Sequence, residues 1–233
     1  MFSTVTGPRC RDCFGRKKDN AAPRIYNVVD VAGTTNAYGL MLREIRSQGL
    51  WLLGLGAIHV VTAGLLSAPW GLLLLVVGLA SFYVREPAMF VVYGVTLAWA
   101  ATSNMLSGEG QWVGFGLLQL FLAYRIFRQF FHFRRVQAEY AGLAADMALR
   151  EPPAPERALH VFPWLSAALG PLALAGLVGS PVWLADIIIN LGVLALALGL
   201  ASLLCGYRYK PLAVVGVAAS ALQLVMWLAQ VLL

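Results

Sequence analysis

Seven apolar stretches of 18–23 residues run through this chain, and its basic residues fall only in alternate gaps or in the turns leading into them. A helix crossing the hydrocarbon core of a bilayer needs about 20 apolar residues, within a range of about 17–25. The stretches predict spans at Gly49–Leu66, Ser67–Val84, Ala88–Leu106, Trp112–Phe131, Val161–Val178, Val182–Leu204 and Pro211–Leu232. Backbone polar groups find no water in lipid, so a spanning segment must close its own hydrogen bonds, as a helix or as a barrel. Barrel strands would alternate apolar and polar residues. Leu72–Val77 and Leu191–Leu200 do not alternate, so the predicted class is an all-α polytopic membrane protein with seven transmembrane helices.

The 17 Lys and Arg residues set the expected orientation. Eight lie before the first span (Arg9, Arg11, Arg16, Lys17, Lys18, Arg24, Arg43 and Arg46) and Arg85 follows the second. Arg125, Arg128, Arg134 and Arg135 leave the fourth, Arg150 and Arg157 precede the fifth, and Arg208 and Lys210 sit between the last two. The intervening turns at Ser67–Trp70, Ser107–Gln111 and Gly179–Val182 hold no basic residue. Cytoplasmic loops collect Lys and Arg. The N-terminus is therefore expected in the cytoplasm and the C-terminus outside. Trp51, Trp70, Trp112, Trp164, Trp183 and Trp227 lie near span ends, where amphipathic rings favour the interface.

Composition agrees with that class. Sixty per cent of the residues are apolar and 12% are charged, against about a quarter charged in soluble domains. The net charge of +6 does not point to nucleic acid, because the cations flank spans, where they set topology and meet anionic lipid at the cytoplasmic face. A polar, basic start in place of an apolar leader argues against a secretory signal. The expected location is a bacterial plasma (inner) membrane.

Four regions follow. Residues 1–48 form a cytoplasmic basic tail, extended or ordered by a partner up to residue 36, then a short helix at Ala37–Gln48 lying on the membrane surface. Residues 49–131 hold four spans. Residues 132–160 form a cytoplasmic linker, helical at Phe133–Leu149 and then broken at Pro152, Pro153 and Pro155, which cannot donate backbone hydrogen bonds. Residues 161–233 hold three more spans.

The two span groups share text. Ala63-Gly64-Leu65 leads to Pro69 and Trp70, as Ala175-Gly176-Leu177 leads to Pro181 and Trp183. Gly78-Leu79-Ala80-Ser81 precedes Arg85 and Pro87, as Gly199-Leu200-Ala201-Ser202 precedes Arg208 and Pro211. One spacing differs: Trp70 to Gly78 is 8 residues, Trp183 to Gly199 is 16. The order points to a 3+1+3 parallel repeat with the fourth helix as crossover. The plan is shared with the SWEET and PQ-loop carriers in architecture only. The spans contain no Pro-Gln pair and the expected orientation is opposite.

Polar groups inside a span mark function or helix–helix contacts. His59, Gln119, Asn190 and Gln223 fall at middle depths, with Asp186 one turn before Asn190 and nearer the outer surface. They are the candidate intramembrane polar site. Their competing role, and the one preferred, is hydrogen bonding across helix pairs. The scarcity of carboxylates argues against ion-coupled transport.

Cys10-x-x-Cys13 is the candidate metal site. Two thiolates at that spacing suit zinc, and neighbouring cations lower their pKa. Completing four ligands would take Cys205, His132, His160 or a second subunit. Ordinary reduced thiols are the simpler reading, and no other cofactor is expected. Small residues recur at close-packing spacing in Ala195-x-x-x-Gly199, Ala197-x-x-x-Ala201 and Gly216-x-x-x-Ser220. No Gly-x-Ser-x-Gly, His-Glu-x-x-His or phosphate-loop motif occurs, so no enzyme is expected. The expected function is a non-enzymatic accessory or scaffold subunit of a larger membrane complex, partnered by other membrane-protein subunits. It would dock through its tail and helix faces. The alternative is a small carrier or channel for a neutral or weakly charged solute.

Overall fold

The computed structural model describes residues 2–4, 7–9, 28–63, 69–84, 86–106, 110–147, 157–179, 182–206 and 209–232. Two three-residue strands, β1 (Phe2–Thr4) and β2 (Gly7–Arg9), pair antiparallel with Phe2 opposite Arg9. Seven helices follow among the described residues: α1 (Val28–Ala63), α2 (Pro69–Ala80), α3 (Ala88–Leu106), α4 (Gly110–Met147), α5 (Arg157–Gly179), α6 (Val182–Cys205) and α7 (Lys210–Leu232). The chain forms two compact units, one of residues 1–43 with 131–154 and one of 44–130 with 155–233.

Among the described residues, four segments are long and apolar enough to cross a membrane, as an integral membrane protein requires: Ala88–Leu106, Val161–Val178, Leu184–Cys205 and Lys210–Gln230. The second expected span is shorter than its apolar text. Its helix ends at Ala80, giving 12 residues and about 18 Å. The chain then turns through Ser81–Val84, where Val84 N–H still donates to the Ala80 carbonyl at 2.9 Å. The short helix expected at Ala37–Gln48 is continuous with the first expected span, because α1 runs unbroken from Val28 to Ala63. A lone glycine at position 49 does not stop a helix, and Gln48 Nε2 donates to Glu44 Oε1 at 2.8 Å just before it. Within residues 1–36, expected to be extended or ordered by a partner, the described residues form the β1–β2 pair and the start of α1 at Val28. In the linker, α4 continues to Met147; the prolines beyond it lie outside the described residues.

In the unit of residues 44–130 and 155–233, α3 and α6 form the centre. Each buries 61% of its span, against 28% for α5 and 22% for α7. Every residue from Ala88 to Gly94 is buried, as in a helix surrounded on all sides. The outer helices turn bulky side chains outward, among them Trp164 and Leu172 on α5 and Val215 and Val225 on α7, toward what lipid would cover.

Small residues set the crossings. In lipid, helices associate through close packing more than through hydrophobic expulsion, so bare surfaces mark contacts. Gly216 of α7 lies against Ser166 of α5, and Gly170 of α5 against Gly216. Gly199 of α6 faces Ser166 and Val217. Ala195, Ala197, Ala201 and Ser220 are buried. In the other span group Gly49 meets Ser81, Gly56 meets Gly71 and Gly116 meets Ala101. These registers make α1 and α2 antiparallel, and likewise α5 and α6, and α6 and α7. At the end of α6, Gly206 takes a φ of 76° and donates to the Leu203 carbonyl at 3.3 Å. That left-handed residue stops the helix at no steric cost.

Candidate functional site

Asn190 is the most connected of the polar residues singled out by sequence. Its Oδ1 accepts the indole N–H of Trp99 on α3 at 3.1 Å, and its Nδ2 donates to the Asp186 carbonyl one turn back at 2.7 Å. The Asp186 side chain is exposed. Trp99 also packs edge-on against Trp227 of α7, with ring centroids 5.3 Å apart. Nearby, Gln223 Nε2 donates to the Ile188 carbonyl at 3.0 Å, joining α7 to α6. These contacts bring α3, α6 and α7 together.

His59 and Gln119 belong to a second group. His59 is 1% exposed. Its Nδ1 sits 2.9 Å from the Leu55 carbonyl, a hydrogen bond when the proton is on that nitrogen. The ring lies 3.7 Å from Trp70 of α2 and 5.1 Å from Phe115 of α4, centroid to centroid. One turn after Phe115, Gln119 Oε1 accepts from Asn104 Nδ2 of α3 at 2.7 Å. Gln119 Nε2 is buried without a hydrogen-bond partner among the described residues.

Helix α3 contributes to both groups through different faces. Trp99 and Asn104 are five residues apart, about 140° around the helix. The structure therefore joins Gln223 to the same stretch of α6 as Asn190 and places His59 against Phe115, one turn from Gln119 on α4, while Asn190 and Gln119 meet different faces of α3 through Trp99 and Asn104. Chemically, each contact joins an amide, indole or imidazole to another helix or to its own backbone. That arrangement holds helices together.

Several contributors gave no sequence signal. Asn104 lies two residues from the end of its span, where a polar side chain is cheap and attracts no attention. Trp99 reads as one more apolar ring until its N–H finds Asn190. Glu44 and Gln129 are joined at 3.2 Å through Gln129 Nε2. An acidic residue between Arg43 and Arg46 was the available hint.

Cys10 and Cys13 lie outside the described residues. Cys205 is partly exposed and His132 exposed. Among the described residues, no three His, Cys, Asp or Glu side chains gather closely enough to hold a metal ion. No family model, curated protein or solved structure matches the chain.

Proposed function

We propose that this chain is a non-enzymatic accessory or scaffold subunit of a larger membrane assembly. It crosses a bacterial plasma membrane seven times, N-terminus in the cytoplasm and C-terminus outside, with anionic lipid along its basic face. The observation that carries this reading is the use of the polar groups within its spans: Asn104 with Gln119, Trp99 with Asn190, and Gln223 with the Ile188 carbonyl. A solute path needs polar groups turned toward a passage, and these are turned toward neighbouring helices. The small faces of α6 and α7 are occupied by α5 and by each other. Docking therefore falls to the basic tail, the linker and the bulky outward faces.

The alternative, a small carrier built on a parallel repeat, has one observation in its favour. Gly78 packs on Gly49 and Leu53 of α1, and Gly199 packs on Ser166 of α5. Equivalent glycines in the shared text thus meet the first helix of each span group.

Gentle extraction followed by affinity purification of the full chain separates the two. A membrane protein co-purifying at fixed stoichiometry is the expected result. A chain that purifies alone and moves solute into liposomes would overturn the subunit reading.

A further inference from the structure

Helices α1, α3 and α4 enclose a groove of about 400 Å³, a size within the ~300–1,000 Å³ of sites that bury small molecules. Its two ends differ. Glu44, Ser47 and Gln48 of α1 and Arg125 and Gln129 of α4 line one end. Leu55 of α1, Leu97 of α3, and Leu118 and Leu122 of α4 line the remainder. Glu44 bonds to Gln129, so the polar end is common to both outer walls. From Glu44 to Leu55 and from Gln129 back to Leu118 is eleven residues, about 16 Å of helix. The hydrocarbon core is about 30 Å thick. The groove is thus polar at its rim and apolar for the depth of one leaflet, which suits an amphiphile better than a soluble metabolite.

Charge narrows the class. Glu44 Oε1 accepts from Gln48 at 2.8 Å and from Gln129 at 3.2 Å, which fixes the carboxylate at the rim. Gln129 Oε1 is buried and accepts no hydrogen bond among the described residues. Arg125 lines the same groove, and no ion pair joins it to Glu44 among the described residues. The rim therefore offers Glu44 to a cationic group and, one turn along α4 from Gln129, Arg125 to an anionic one.

We propose that this groove binds a phospholipid whose headgroup carries both a phosphate and a primary amine. The phosphate meets the Arg125 guanidinium, a geometry that favours charge-assisted hydrogen bonds. The ammonium donates to the Glu44 carboxylate oxygens, and one acyl chain lies along Leu55, Leu97 and Leu118. A quaternary ammonium has no N–H to give these acceptors. A glycerol headgroup carries the same phosphate but meets Glu44 only with neutral hydroxyls, which donate to the carboxylate without a compensating positive charge. The site is independent of whether the chain is a subunit or a carrier.

The test is native mass spectrometry of the full chain, delipidated in mild detergent and offered phosphatidylethanolamine, phosphatidylcholine or phosphatidylglycerol with identical acyl chains. One phosphatidylethanolamine per chain is expected, retained about tenfold better than the other two, the scale of one hydrogen-bonded charge. Glu44→Gln keeps the side chain's shape and should bring ethanolamine and choline lipids to parity. Leu122→Trp fills the apolar part and should abolish the bound lipid, with gel filtration reporting on fold. The wild-type comparison stands even where a variant does not fold. Equal retention of all three lipids by the wild type means surface lipid only and overturns the proposal. So does preference for the glycerol headgroup, the absence of any bound lipid, or an ethanolamine preference that survives both substitutions.

Discussion

The carboxamide of Gln223 lies directly over the bare Cα of Gly192, in the space a Cβ would occupy. From there Nε2 reaches the Ile188 carbonyl, one turn earlier on α6, at 3.0 Å. The glycine makes room for the amide, and the amide ties α7 to α6. Gly192→Ala should therefore push Gln223 out of its bond and cost about 1–3 kcal/mol, the range for overfilling a packed contact. The obstacle is the end of a flexible side chain, so Gln223→Ala should absorb the alanine. In a double-mutant cycle by thermal unfolding in detergent, the pair should couple by about 1 kcal/mol or more. Simple additivity would mean that the two residues do not share this space.

Gly216 predicts the opposite behaviour. A Cβ there meets the Ser166 side chain and also the backbone carbon and oxygen of Ser166. Backbone cannot step aside. Gly216→Ala should cost about 3 kcal/mol, at the upper end of the overpacking range, and Ser166→Ala should not rescue it. Ser166→Ala carries its own smaller loss, since Ser166 Oγ donates to the Ala195 carbonyl of α6 at 2.8 Å. Melting temperatures of the two single variants and the pair would check this. Rescue by Ser166→Ala would show that α5 and α7 lie farther apart than described.

The Asn104–Gln119 bond separates packing from chemistry. Asn104→Leu leaves a buried carboxamide without its donor and should cost about 1–2 kcal/mol. Replacing both residues with Leu removes both polar groups at once and should recover most of that loss. If the bond serves helix packing, the doubly substituted chain also assembles normally in the membrane. Full stability with failed assembly or lost activity would instead make this amide pair part of a functional site.

Sequence carried the helical class and the small-residue contacts because both are local properties. Length and apolarity mark α3, α5, α6 and α7, and Gly216-x-x-x-Ser220 names a close-packed face from composition alone. Where helices end was less legible. Apolar text runs to Val84, yet α2 stops at Ala80, while polar text before Gly49 continues the helix of α1. Hydropathy reports the solvent a segment prefers and says little about its backbone geometry. The differing Trp-to-Gly spacings have a structural counterpart, since α2 has 12 residues and α6 has 24. Partners were the least legible part. Depth placed Gln119 and Asn190 among candidate polar residues, but only three-dimensional packing assigns one to Asn104 and the other to Trp99.

The expected sidedness rests on the short helix α2. Tyr93 of α3 donates its hydroxyl to the Ile45 carbonyl of α1 at 3.2 Å, and farther along Leu97 shares a groove with Leu52 and Leu55. Helices α1 and α3 therefore run in the same direction. The chain must return between them, and α2 is the return despite its about 18 Å of helix. Asn104 opposite Gln119 and Gly94 opposite Phe127 reverse α4 against α3. The remaining turns reverse twice more, leaving α7 parallel to α5. If each of the seven helices crosses the bilayer, an odd number, the two chain ends face opposite compartments. A cytosol-only reporter at Met1 and a periplasm-only reporter at Leu233 should both be active, and exchanging the two should silence both. Activity of one reporter type at both ends would mean an even number of crossings, with α2 the first helix to reassign.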